Sequence, residues 1–222
     1  KQIAAHQMEA SADDLQFEAG AFTVSGSPNK QMAIQEIAFG AFTAHDLPDG
    51  MEPNLQEQVT FDPPNFVFPF GTHVCTVEID EDTGNVELLS YVAVDDCGTQ
   101  INPMIVEGQL HGGIVQGVAQ ALWEEACYDE DGNLTNPSLM DYLVPSPTEV
   151  PSMVTDYTVT PSTSNPLGVK GAGEAGTISS AAAVMNAVVD ALSPYGVRDM
   201  DMPATPQRVW RTINDAKNGG AA

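Results

Sequence analysis

Residues 106–128 constrain the fold most. Val106, Leu110, Ile114, Val118 and Leu122 recur at every fourth position, which predicts a helix over Val106 to Tyr128 with one apolar stripe to bury. At about 100° per residue, Gln109, Gln116 and Gln120 share a narrow arc on another face, bordered by Gly112, Gly113 and Gly117. Together with Gly108 these make four helical glycines, each costing about 1 kcal/mol relative to Ala, so something should approach the backbone closely in compensation. A polar ligand or a neighbouring chain would suit bare backbone flanked by amides. A second helix packed on the glycines, with the glutamines in solvent, explains the spacing equally well. His111 turns toward the apolar side and reads as a packed histidine.

Around this helix, periodicity and turn chemistry mark further elements. A short helix opens the chain (Ile3, Ala4, Gln7, Met8). Leu15–Phe17 and Ala21–Val24 flank a turn as a small hairpin, and Ile34–Ala44 reads as a helix. Pro48, Pro53, Pro63, Pro64 and Pro69 then keep residues 46–70 irregular or extended, which makes this segment the best candidate boundary. Residues 73–79 and 86–94 are β-rich runs joined by an acidic turn in which Gly84 can take positive φ, so they should pair antiparallel. A second acidic turn, Asp129 to Asn133, departs from a calcium loop at Leu134 and Met140, where glycine and glutamate are required.

Charge narrows the partners. Seven Lys+Arg against 31 Asp+Glu give a net charge of -24, spread along the chain, which disfavours nucleic acid and anionic membranes. Self-repulsion of this size is screened near 1 M salt, where the Debye length is roughly 3 Å, so we expect a salt-adapted cytoplasm. No apolar run approaching the 18 residues of a membrane span is evident, and the N-terminus lacks a signal pattern. A start at Lys1 rather than Met, already in a helical pattern, suggests processing or a fragment. Cys75, Cys97 and Cys127 form no C-x-x-C pair, and His6, His45, His73 and His111 show no ligand spacing, so no protein-ligated metal is expected.

Thr160 to Thr177 is turn-rich and opens a helix of small residues, Ile178 to Leu192. Free backbone N–H groups and the positive end of a helix dipole converge in such a loop, which suits an anion. Glu174 lies among Gly171, Gly173 and Gly176. In a crowded, partly dry site its pKa would rise and it could act as a general base, whereas a solvated turn glutamate is the plain alternative. The loop matches neither Walker A nor the dinucleotide fingerprint.

Three segments in order, Asp95-Asp96-Cys97-Gly98-Thr99-Gln100-Ile101-Asn102-Pro103, Val106 to Gly117, and Gly168-Val169-Lys170-Gly171-Ala172-Gly173-Glu174-Ala175-Gly176, resemble the xanthine dehydrogenase and aldehyde oxidase family, which includes carbon monoxide dehydrogenase large subunits. The resemblance implies an α+β fold, antiparallel-rich sheet with packed helices in two-layer subdomains. It divides into residues 1–50, continuing from a missing upstream domain, and a C-terminal molybdopterin-binding part, 70–222. It implies Glu174 as catalytic base in oxidative hydroxylation of an aldehyde or N-heterocycle, with Gln109, Lys170, Gly171, Ala172, Gly173 and Val74 facing a molybdopterin whose dinucleotide form, cytosine included, stays open. Iron–sulfur and FAD subunits are the implied partners, and the isolated piece would not turn over. Ala175-Gly176 after Glu174 resembles the aldehyde-oxidoreductase branch, whereas carbon monoxide oxidisers carry Ser-Pro there, so carbon monoxide ranks second. A noncatalytic assembly fragment and a plain acidic anion-binding scaffold are the alternatives of other classes.

Overall fold

The computed structural model describes residues 1–150 and 152–219 and divides into two compact units, Lys1–Asp62 and Pro63–Ala222. In the first, α1 (Gln2–Gln7) precedes a three-stranded antiparallel meander of β1 (Leu15–Glu18), β2 (Ala21–Val24) and β3 (Ser27–Ala33), followed by α2 (Ile34–Thr43). Ala19 and Gly20 both take positive φ (50° and 82°), the conformation that lets a two-residue turn match strand twist. Ile3, Ala4, Met8, Leu15, Phe22, Ile37 and Ala41 form its core. The third strand was not expected: Ser27-Pro28-Asn29-Lys30-Gln31 is polar and exposed, so it carries no alternation to read.

The second unit is built on β4 (Phe70–Ile79), β5 (Val86–Asp96) and β6 (Met153–Thr158), with β5 central, antiparallel to β4 and parallel to β6. Helix α3 (Pro103–Leu122) lies in the connection from β5 to β6, as parallel pairing requires a crossover. Helix α4 (Ala175–Leu192) packs on α3 and β4, and α5 (Pro206–Lys217) ends the described chain. Ile114, Val118, Leu122, Val184, Val188, Leu192, Tyr91 and Ala93 share one core. Gly84 (φ 74°) serves two needs, since a Cβ there would also collide with the Pro206 carbonyl and the Trp210 backbone of α5.

Several expectations are corrected. Helix α3 begins at Pro103, because the Asn102 side chain accepts from Ile105 N (3.3 Å) and proline suits the first turn, and it ends at Leu122 rather than at Tyr128. Beyond it, Asn136 Oδ1 accepts from Cys127 N (2.9 Å), and Tyr128 bridges Leu134 in a bent loop. Helix α4 begins at Ala175, and β6 and α5 were missed. A segment long and apolar enough to span a membrane by length and composition is also present, Ala175–Tyr195. Its aliphatic residues are interrupted by Gly, Ser, Thr, Asn and Asp, which hides it from a search for unbroken apolar runs, and in this fold Val184, Val188 and Leu192 point into the core.

Candidate functional site

The site is set by how α3 meets α4. Gly113 lies against Thr177, and Gly117 against Ser180 and Ala181, so the two helices run in the same direction. A Cβ on Gly113 would sit 2.9 Å from Thr177 N, one on Gly117 would overlap the Ser180 hydroxyl, and one on Gly176 would overlap the Leu110 carbonyl. Thr177 Oγ1 donates to the Gly113 carbonyl (2.9 Å), stitching the helices at the same level. The helix-on-helix reading of the glycines therefore holds for Gly113 and Gly117. Gly108 and Gly112 are different: both are exposed and a Cβ on either would meet nothing within 4 Å.

The N-terminus of α4, with its partial positive charge, lies beside Leu110 and Gly113, within α3 rather than at its start. Gln109 is exposed one turn before Gly113 on α3, and the Gly171–Glu174 loop feeds α4 at the corresponding level. Glu174 is the N-cap residue of α4, yet its side chain makes no capping hydrogen bond. Its side chain is exposed to solvent. Gly171 and Gly173 have neither a positive φ nor any neighbour within 4 Å of a would-be Cβ. Among the described residues nothing requires glycine there, which is the condition expected if a bound group occupies that space.

Lys170 turns the other way. Its Nζ lies 3.0 Å from Asp96 Oδ1 and 4.5 Å from the centre of the Phe70 ring, with Lys170 and Asp96 side chains 9% and 0% exposed. Thr158 Oγ1 donates to Asp96 Oδ2 (3.0 Å) and Gly98 N to Oδ1 (2.9 Å). Burial opposes ionisation of Asp96 more than any single partner favours it. The donors from Gly98, Lys170, Thr160 and Thr158 together outweigh burial and hold the carboxyl well below the usual range. Val74 is not brought to the site either. It sits in register with Val92 and Val154 and is 57% exposed, while its neighbours Cys75, Val77 and Ile79 pack into the core.

Next to Asp96, Asp95 belongs to a second buried network that the sequence did not reveal. Asp95 Oδ2 lies 3.1 Å from His73 Nε2, and His73 Nδ1 lies 2.8 Å from the Tyr91 hydroxyl. A carboxylate only accepts, so Nε2 carries the proton and, in the neutral ring, Nδ1 accepts from Tyr91. Burial, with Cys75 and Asp95 nearby, pushes the Tyr91 phenol up, against a hydrogen bond with Ser180 of α4. The Asp95-Asp96 dipeptide was the available signal, because two consecutive acids at the end of an apolar strand must find partners on both faces of the sheet. His111, half-buried, places Nε2 3.2 Å from Thr155 Oγ1 of β6 and is a packed residue.

A mixed sheet backed by two parallel helices, with an open glycine stripe, an exposed amide and an exposed carboxylate near the N-terminus of α4, makes an α+β domain with room for a ligand at that end. A family model described as molybdopterin cofactor-binding domain matches residues 1–151. The chain is 43% identical over 97% of its length to the carbon monoxide dehydrogenase large chain of Hydrogenophaga pseudoflava, spanning 26% of that protein. Two solved structures superpose on it. One is a Cu,Mo-CO dehydrogenase in its carbon-monoxide-reduced state, with TM-score 0.90 and 40% identity over 97% of this chain and 27% of that one. The other is quinoline 2-oxidoreductase from Pseudomonas putida 86, with TM-score 0.89 and 42% identity over 96% of this chain and 27% of that one. The chain belongs to the molybdopterin cofactor-binding family of the molybdenum hydroxylases, whose members include carbon monoxide dehydrogenase large chains and xanthine dehydrogenase molybdenum-binding subunits. It spans about a quarter of the length of these relatives.

Proposed function

We propose that this chain supplies part of the molybdopterin site and the general base of a hydroxylase acting on an aldehyde or N-heterocycle. One observation carries the reading: Glu174 caps α4 without a capping hydrogen bond, behind two glycines that the chain itself does not need. When bound, the cofactor supplies the redox chemistry. Gln109 offers an amide that both donates and accepts to the polar edge of the pterin, in whichever dinucleotide form. Gly171, Ala172 and Gly173 would present backbone to it at the positive end of α4. A Glu174 Oε then takes the proton from the oxygen that attacks the substrate carbon. In this reading the Lys170 ammonium, paired with Asp96, and the Val74 side chain, on the sheet face away from the core, stand outside this contact set.

Turnover of the Glu174→Gln variant in the complete enzyme tests the base. The amide keeps shape and reach but cannot take the proton, so kcat should fall by about 10²- to 10⁴-fold with molybdenum content near wild type. Full activity at full molybdenum would sink the assignment, and loss of molybdenum would make Glu174 a structural residue.

Carbon monoxide oxidation is the second reading, supported by 43% identity to a carbon monoxide dehydrogenase large chain. Ala175-Gly176 after Glu174 favours the first, and the quinoline enzyme is as similar at 42%. The words "large chain" in the relative's name fit further subunits, and we propose iron–sulfur and FAD partners to carry the electrons away. The charge of -24 supports a salt-adapted cytoplasm. Thermal stability should rise steeply from low to molar salt, and a flat melting temperature would remove this part of the reading.

A further inference from the structure

We propose that the Asp96–Lys170 ion pair is a positioning device that sets the Gly171–Glu174 loop, with Lys170 acting through the loop rather than as a cofactor ligand. The purpose of the loop rests on the function proposed above, while the device itself rests on geometry. Lys170 is committed at both ends. Its ammonium meets Asp96 over the Phe70 ring, and its backbone N–H donates to the Cys97 carbonyl (2.9 Å). Just before it the loop is closed onto the end of β5: Gly98 bridges Val169 and Thr99 N donates to the Gly168 carbonyl (3.0 Å). Asn165 brackets Val169, accepting from its N–H (3.1 Å) and donating to its carbonyl (2.9 Å). A Cβ on Gly98 would overlap the Gly168 carbonyl, so the two segments are in close contact.

Beyond Lys170 these tethers stop. Among the described residues, the next backbone hydrogen bond is Ala175 N to the Ala172 carbonyl (3.3 Å), already at the start of α4. Gly171-Ala172-Gly173 has little stiffness of its own. The place of Glu174 is therefore defined by two anchors, Lys170 before it and Gly176 against Leu110 after it. A buried charge without its partner is strongly unfavourable, so the pair resists displacement of the first anchor. Lys170 is one of only four lysines in a chain with 31 acidic residues, and it is used inside the fold.

In the complete enzyme, Lys170→Met, Asp96→Asn and the double variant should be compared by amide hydrogen exchange over residues 160–176, by molybdenum content, and by kcat and KM per molybdenum. Either single change should speed exchange across the segment and lower kcat per molybdenum by about 10²-fold, as for a misplacement near 1 Å. KM should stay within about threefold. The double variant, which removes both charges, should recover most of the loss, and Lys170→Arg, which keeps the pair, should stay near wild type. A severe Lys170→Met, a mild Asp96→Asn and no recovery in the double variant would overturn the proposal and make the ammonium a ligand. A lower melting temperature with unchanged kcat per molybdenum would overturn it in favour of bulk stability. Failure of the base reading looks different, because a fully active Glu174→Gln enzyme leaves the exchange pattern of the pair intact.

Discussion

The glycines of the α3–α4 pair fall into two regions. Gly113, Gly117 and Gly176 are closed, each with a backbone or side chain where a Cβ would go, whereas Gly108, Gly112, Gly171 and Gly173 are open, with nothing within 4 Å. The closed set is explained by the chain itself: it lets two helices approach until Thr177 bonds the Gly113 carbonyl. The open set has no internal explanation, although each helical glycine costs about 1 kcal/mol. Identical residues thus answer to different requirements: packing between the helices for the closed set and, in the function proposed above, room for a cofactor for the open set.

Substitution by alanine separates the two most directly. Gly176→Ala drives a methyl into the Leu110 carbonyl and toward Ile114 N, where no flexible side chain can yield. It should cost about 1–3 kcal/mol in denaturant unfolding, and a neutral result would mean that the helix contact is looser than described. Acid gives an intermediate effect at the anchored base of the open loop. Asp96 is held well below the usual carboxylate range, so its contribution is complete above its unfolded pKa and is lost as pH falls toward the folded value. Below about pH 4 the wild type should lose stability more steeply than Asp96→Asn, and parallel stability–pH curves would show that the pair adds nothing. The smallest change is expected for Gly112→Ala. With space for the methyl, it should raise stability by up to about 1 kcal/mol while lowering molybdenum content in the complete enzyme. A stabilised variant with full molybdenum would remove the cofactor as the reason for the open set.

Local chemistry was legible without the fold. The apolar stripe from Val106 to Leu122, buried from Leu110 on, the turn at Gly84 and the hairpin turn around Glu18-Ala19-Gly20, which tightens to Ala19-Gly20, are short-range signals. Family membership was legible too, because Asp95–Pro103, Val106–Gly117 and Gly168–Gly176 are contiguous motifs that can be recognised in order without the fold. Strands β3 and β6 were not, since β3 is polar and exposed and most of β6 is exposed, so neither buries the alternation that marks a strand. The direction in which a side chain points was equally hidden. Lys170 in a glycine loop reads as facing a ligand, and only the arrival of β5 and β6 beneath the loop gives its ammonium a buried carboxylate to meet. By itself the sequence determined which residues are chemically able to act, through residue type and spacing. The tertiary structure decided which of them face the open end and which are used to hold it, because burying a charge or removing a Cβ acquires its meaning from residues distant in sequence, 74 positions away for the Asp96–Lys170 pair.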